Sequence, residues 1–191
     1  MEEIIKKAFY DSFDAICNDV TETTFRHLNE SVYRYFFIKH LPSSIGIEDE
    51  WHRIDLMLHD SEYQYPIEFK QYDTRPLFMV NSKKIGKKGG AGSGNFKEFI
   101  ESSKKLVELK NKEFFTKRGC NFKKYYFILL AGDLCQNNKN STQRFDYWYW
   151  NDNRHIQALS KVGIRTKLIA KKEFTKSSLK VFGWVIELNN A

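Results

Sequence analysis

Residues 53–71 of the chain read RIDLMLHDSEYQYPIEFKQ. Two apolar runs, Arg53–His59 and Tyr65–Gln71, flank the polar segment 60–62. Apolar runs joined by so short a polar turn are typical of a β-hairpin. The stretch therefore predicts two neighbouring antiparallel strands.

The second strand of this hairpin carries an acid and a base on one face. Side chains alternate across a strand, so Ile67 and Phe69 are expected to face the core. Glu68 and Lys70 then share the opposite face, and Asp55 lies on the neighbouring strand. The sequence thus predicts a site with two carboxylates and one ammonium group.

This set of groups suits the hydrolysis of a phosphodiester. Two carboxylates bind a hard cation such as Mg²⁺ through their oxygen atoms. The cation neutralises charge on a phosphate and lowers the pKa of water. A nearby lysine holds the attacking water, or takes its proton if the pKa of the lysine is depressed.

The same residues also have a structural interpretation. A Glu-x-Lys pair is common on the exposed face of an amphipathic strand, where it does no more than face water. Asp55, Glu68 and Lys70 would then form the solvated face of the hairpin. A metal site and a solvated face both remain open on the residues alone.

The segments before the hairpin are predicted to be helical. Apolar residues recur at helical spacing over Ile4–Phe13. A second helix is predicted from Thr23 or Thr24 to about His40, where Pro42 follows and stops it.

The segments after the hairpin complete a mixed α/β pattern in one domain, residues 1–191. The nearly unbroken apolar run in the middle predicts a central strand that is covered on both faces. The predicted elements are a long helix Phe96–Phe115, the strand Lys124–Ala131, a helix Asp152–Lys161 and the strands Ile164–Ala170 and Lys180–Leu188.

Net charge, cysteine spacing and the length of apolar runs indicate which kinds of partner and compartment to expect. The chain has 191 residues and a formal net charge of +7, which favours polyanionic partners such as nucleic acid. The three cysteines lie far apart and form no Cys-x-x-Cys pair, so a disulfide framework is not expected. No apolar run is long enough to span a bilayer and the N-terminus does not read as a signal peptide, so a cytoplasmic protein without membrane contact is predicted.

The motif Arg53-Ile54-Asp55, then twelve residues, then Glu68-Phe69-Lys70 resembles the PD-(D/E)XK nuclease superfamily. The resemblance covers residues 23–133 and implies the restriction-endonuclease-like αβββαβ core, with a central mixed sheet flanked by helices. Ile54 stands where the family name has a proline.

The resemblance also implies roles for particular residues. Asp55 and Glu68 would bind Mg²⁺, for which Mn²⁺ substitutes, together with the backbone carbonyl of Phe69. Lys70 would assist the attacking water. Glu30 is a fourth candidate, because many members place a glutamate of the first core helix near the metal.

These features predict a Mg²⁺-dependent endonuclease that hydrolyses double-stranded DNA, similar to a type II restriction enzyme and acting as a homodimer. One alternative is a non-catalytic nucleic-acid-binding module on the same fold. Another is a nuclease that acts on RNA or on branched repair DNA.

A basic, glycine-rich segment follows the second strand of the hairpin. Lys83, Lys84, Lys87 and Lys88 are candidates to contact a phosphate backbone from a mobile loop. The alternative is a solvated flexible loop without a ligand.

Overall fold

A computed structural model describes residues 1–20, 28–80, 83–88, 93–134, 152–176 and 179–190. Its helices are α1 (Glu2–Asp19), α2 (Glu30–Lys39), α3 (Ser93–Val107), α4 (Glu113–Lys117) and α5 (Asp152–Ser160), with a 3-10 turn at Glu108–Asn111. Its strands are β1 (Gly46–Trp51), β2 (Ile54–His59), β3 (Gln64–Val80), β4 (Lys83–Lys88), β5 (Tyr125–Leu134), β6 (Ile164–Lys176) and β7 (Leu179–Asn190).

Six of these strands form a mixed sheet in the order β1-β2-β3-β5-β7-β6. β2 and β3 are antiparallel, which confirms the predicted hairpin, whereas β3 and β5 are parallel. β4 pairs with the far part of β3, outside this order. The parallel pair is joined through α3 and α4, as a crossover connection requires.

Helices cover both faces of the sheet, and β5 shows how the sequence achieves this. Tyr126 and Ile128 pack in a cluster with residues of α1 and α2. Phe127 and Leu129 pack in a second cluster, with residues of α3 and α5. Because both alternating sets of β5 side chains are buried, the prediction of a central strand covered on both faces is confirmed.

The edge strand β1 was not predicted from the sequence. Its residues are mostly exposed and include the consecutive acids Glu48, Asp49 and Glu50, so no apolar alternation marks it. It forms because it pairs antiparallel with β2 along its length. Charged residues on a short edge strand also discourage pairing with other chains.

Two predicted helices have different bounds in the structure. α2 begins at Glu30 rather than at residue 23 or 24, because Asn29 is extended and its side chain caps the helix at the amide of Val32; residues 21–27 lie outside the described part. The predicted helix Phe96–Phe115 is interrupted. It becomes α3, a 3-10 turn and α4, since Lys112 has extended backbone angles.

The basic segment after β3 is a strand and not the expected loop. Its backbone pairs antiparallel with β3, from Val80 opposite Lys83 to Arg75 opposite Lys88. Lysines are frequent on such edge strands. The side chains of Lys84 and Lys87, like those of the other β4 lysines, lie outside the described part, so their contact with nucleic acid stays a prediction.

Among the described residues, no helix is long and apolar enough to cross a membrane.

Candidate active site

The two carboxylates of the motif meet where β2 and β3 separate. Antiparallel pairing of these strands ends at Leu56 opposite Ile67, and the next position in this register sets Asp55 opposite Glu68. Beyond this point the amide N–H of Phe69 donates its hydrogen bond to the side-chain oxygen Oδ2 of Asp55, at 2.7 Å, and not to a backbone carbonyl of β2. Opposite residues of a pair point to the same face, so both carboxylates lie on one face of the sheet.

The backbone carbonyl of Phe69 points toward the same edge. In a β-strand, the N–H and C=O groups of any one residue point toward the same neighbouring strand. This is why two opposite residues of an antiparallel pair can exchange two N–H···O=C hydrogen bonds. Because the N–H of Phe69 meets Asp55, its carbonyl also faces the gap between β2 and β3. The predicted third oxygen donor is therefore directed to the side on which Asp55 lies.

Three carboxylates lie around the ammonium group of Lys70. Its Nζ lies 3.4 Å from Glu68 Oε1 and 3.9 Å from Glu30 Oε2. It also lies 3.9 Å from Glu98 Oε1 of α3. The structure thus brings together three of the candidate residues, Glu30 from α2 with Glu68 and Lys70 from β3, and adds Glu98.

Sequence reasoning missed the role of two residues. Arg34 is buried and pairs with Asp49 at 2.9 Å, with Glu50, and with Asp55 at 3.4 Å. Its spacing from Glu30, four positions along α2, is the signal that puts both on one helix face. Glu98 carried no signal, because a charged residue on an amphipathic helix usually faces water.

Burial and crowding raise the pKa values of the acids. The pKa of Glu68 rises to about 7, first because burial disfavours its charged form and then because Asp55 and Glu30 repel it. Burial likewise raises the pKa values of Asp55 and Glu30. The nearby Lys70 opposes these shifts without cancelling them.

The pKa of Lys70 moves in the direction that keeps it charged. Burial lowers this pKa, but Glu30, Glu68, Asp55 and Glu98 together outweigh burial, so the net shift is upward. A depressed lysine pKa, on which one of the predicted roles depended, is not found. Lys70 is therefore a hydrogen-bond donor and a fixed positive charge rather than a proton acceptor.

A cleft of about 490 Å³ opens beside Glu68 and Lys70. Its walls come from the β1–β2 turn, the motif strands, α3 and the segment that follows α3. The lining residues are His52, Arg53, Ile54, Glu68, Lys70, Glu98, Glu101, Ser102, Lys105, Leu106, Leu109 and Lys112.

Comparison with protein-family models, with curated proteins and with solved structures found no match. Within the described ranges, no group of three or more His, Cys, Asp or Glu side chains is arranged to hold a metal ion.

Proposed function

We propose that the chain is a metal-dependent nuclease that hydrolyses phosphodiester bonds, with double-stranded DNA as its substrate. The observation that carries the proposal is an excess of acid around Lys70. Glu30, Glu68 and Glu98 all lie within 3.9 Å of this one ammonium group. A half-buried site with more carboxylates than cations is stabilised when it binds a further cation.

The donor set fits a divalent cation such as Mg²⁺, or Mn²⁺ in its place. Asp55 and Glu68 supply carboxylate oxygens, and Phe69 supplies its carbonyl. Mg²⁺ is commonly held by one or two carboxylates and retains several waters. Such a site needs fewer than three acidic side chains, so it agrees with the absence of a larger ligand group in the described ranges.

Bound there, the cation would supply charge neutralisation at the phosphate and a lower pKa for water. Lys70, whose pKa the surrounding carboxylates raise in the metal-free site, would donate hydrogen bonds from Nζ to the attacking water and to a phosphate oxygen. Glu30 and Glu98, each 3.9 Å from Nζ, attract this ammonium group electrostatically. Attack of the water oxygen on phosphorus would form a new P–O bond and break the bond to the 3′ oxygen. The water would lose a proton to solvent and the 3′ oxygen would take one from solvent, leaving 5′-phosphate and 3′-hydroxyl ends.

The order of elements supports a restriction-endonuclease-like core and membership of the PD-(D/E)XK superfamily. α2, β1, β2, β3, α3 and β5 follow one another as αβββαβ, with β4 as an addition after β3. Enzymes of this kind that cut both strands at a palindromic site act as two-fold dimers, so we propose a homodimer.

The proposal is tested by incubating supercoiled plasmid DNA with Mg²⁺, with Mn²⁺ and with EDTA. We expect cutting that depends on metal in the wild type and is lost in Asp55→Asn and Glu68→Gln. Glu62→Gln is the matched control, because Glu62 is an exposed glutamate in the turn of the same hairpin. Wild type that leaves plasmid, RNA and branched DNA intact in both metals would rule out the nuclease.

A second candidate is a nucleic-acid-binding module without catalysis. The contact of Arg34 Nη1 with Asp55 Oδ1 at 3.4 Å favours it, since a cationic side chain already reaches one of the two carboxylates. Titration calorimetry separates the two. Binding of Mg²⁺ that Asp55→Asn abolishes supports the nuclease, whereas a wild type that binds DNA but no divalent metal supports the module.

A further inference from the structure

The turn between β1 and β2 has an unfavourable backbone for its sequence. Trp51 pairs with Ile54, so His52 and Arg53 alone form the loop, and their φ angles are 50° and 70°. Two-residue turns with positive φ at both positions favour Asn-Gly, because a larger side chain crowds the backbone there. Residues held against such a preference concentrate at functional sites.

This strained turn faces the same cleft as the catalytic candidates. His52 and Arg53 line the cleft on one side, and Lys105 of α3 and Lys112 line it on another. Within the described part of the chain, Arg53, Lys105 and Lys112 form no ion pair. The three glutamates that also line the cleft already pair with Lys70 or Lys97, so these cations are available for an anionic ligand.

An aromatic rim adjoins the turn. The imidazole of His52 lies 4.1 Å from the ring of Phe114 and 4.8 Å from that of Trp51, measured between centroids. The guanidinium of Arg118 lies 4.3 Å above the ring of Phe114, which is 38% exposed. An exposed ring with a cation beside it is a surface on which nucleic-acid bases stack.

We propose that this cleft binds one unpaired nucleotide of a nucleic-acid strand. Arg53, Lys105 and Lys112 contact its phosphate groups, and the rim of His52 and Phe114 stacks its base. The volume of about 490 Å³ lies within the ~300–1,000 Å³ of small-ligand pockets, which suits a single nucleotide. The inference rests on the proposed nuclease, and it requires that the strand beside Lys70 is opened or frayed.

Fluorescence anisotropy with a labelled single strand of thymidine nucleotides tests the proposal. EDTA in the buffer prevents cutting, so binding is measured without chemistry. We expect Lys105→Ala and Phe114→Ala to weaken binding about tenfold. Lys104→Ala is the matched control, since Lys104 is the neighbouring lysine of α3 and does not line the cleft. Tyr35→Ala controls for the loss of an exposed ring.

The double variant His52→Asn/Arg53→Gly gives the sharpest test. It installs the preferred turn residues, so we expect the Tm to rise by about 2–4 °C. Binding of the single strand should weaken at least about tenfold in the same protein, because the phosphate contact is removed. These two changes in opposite directions exclude loss of folding as the reason for weaker binding.

Three results overturn the inference: unchanged binding of the single strand by the cleft variants, an equal loss in Lys104→Ala, or a duplex of the same length whose binding depends on Phe114 as strongly as that of the single strand does. Cutting of plasmid DNA is measured separately. If wild type binds the single strand through these residues but cuts nothing, the nuclease fails and the nucleotide cleft stands.

Discussion

Lys124 and Lys70 each lie among glutamates on this sheet, yet their surroundings differ. Lys124 donates to Glu187 at 2.7 Å and to Glu2 at 3.4 Å, and Lys167 donates to Glu2 at 2.7 Å. This cluster joins α1 to β6 and β7 with two lysines and two glutamates. The hydrogen bond from Lys167 holds the pKa of Glu2 below its usual value.

Lys70 has a different balance of charge. Its nearest carboxylate oxygens lie at 3.4 to 3.9 Å and belong to three glutamates. The pKa of Glu68 rises to about 7, in contrast to the lowered pKa of Glu2. Equal numbers of charges at short distances form a structural contact, whereas excess acid in a half-buried site is suited to bind a further cation.

The largest expected effect is a loss of plasmid cutting when Lys70, but not Lys124, is replaced. Lys70→Met should lower the initial rate of plasmid cutting by about 10²–10³-fold, because a charged donor to the reacting groups is lost. Lys124→Met should leave this rate within about twofold when both variants are folded. Both effects are measured as initial rates of plasmid cutting in Mg²⁺, with wild type and the two variants at the same protein concentration. Equal losses in the two variants would contradict a special role for Lys70.

The next effect is a pH dependence of stability. The folded-state pKa of Glu68 is about 7, above its ordinary 4.5, so its stabilising contribution is complete below pH 4.5 and is lost as the pH rises through 7. Without metal, Glu68→Gln should therefore gain up to ~3 kcal/mol in free energy of unfolding relative to wild type over this window.

Urea unfolding of wild type and Glu68→Gln in EDTA, at pH values below 4.5 and above 7, measures this gain. If the difference in free energy of unfolding between wild type and Glu68→Gln is the same below pH 4.5 and above pH 7, Glu68 is not the titrating group.

A smaller effect concerns the structural cluster. Lys124→Met leaves the buried carboxylate of Glu187 without its nearest cation, so the free energy of unfolding should fall by about 2 kcal/mol. Lys117→Met is the control, because Lys117 is 73% exposed and its pair with Glu113 lies on the surface. Exposed pairs contribute ~0–1 kcal/mol, so a control as damaging as Lys124→Met would refute the comparison.

The smallest effect is stabilisation by the metal itself. Mg²⁺ at about ten times its Kd should add ~1.4 kcal/mol to the free energy of unfolding, since it binds the folded state. The Tm of wild type should then rise by about 3–6 °C in a thermal melt. Asp55→Asn should not respond. A Tm shift of the same size in Asp55→Asn would place the cation elsewhere on the protein.

The sequence by itself determined the hairpin and the faces of its strands. Period-two alternation is a local property, so Ile67 and Phe69 were correctly predicted to be buried and Glu68 and Lys70 to share the other face. The apolar run of β5 likewise predicted a strand covered on both sides. These predictions succeed because the spacing of apolar residues along one strand determines which of its faces is buried.

The tertiary structure alone decided which distant charges meet. Glu98 reaches Lys70 from a helix twenty-eight positions further along the chain, and Arg34 reaches Asp55 from α2. The mostly exposed β1 became a strand by pairing with β2, without an apolar pattern of its own. Such contacts depend on how elements pack, and so does the excess of acid around Lys70, since desolvation and charge repulsion exist only once the groups are buried together.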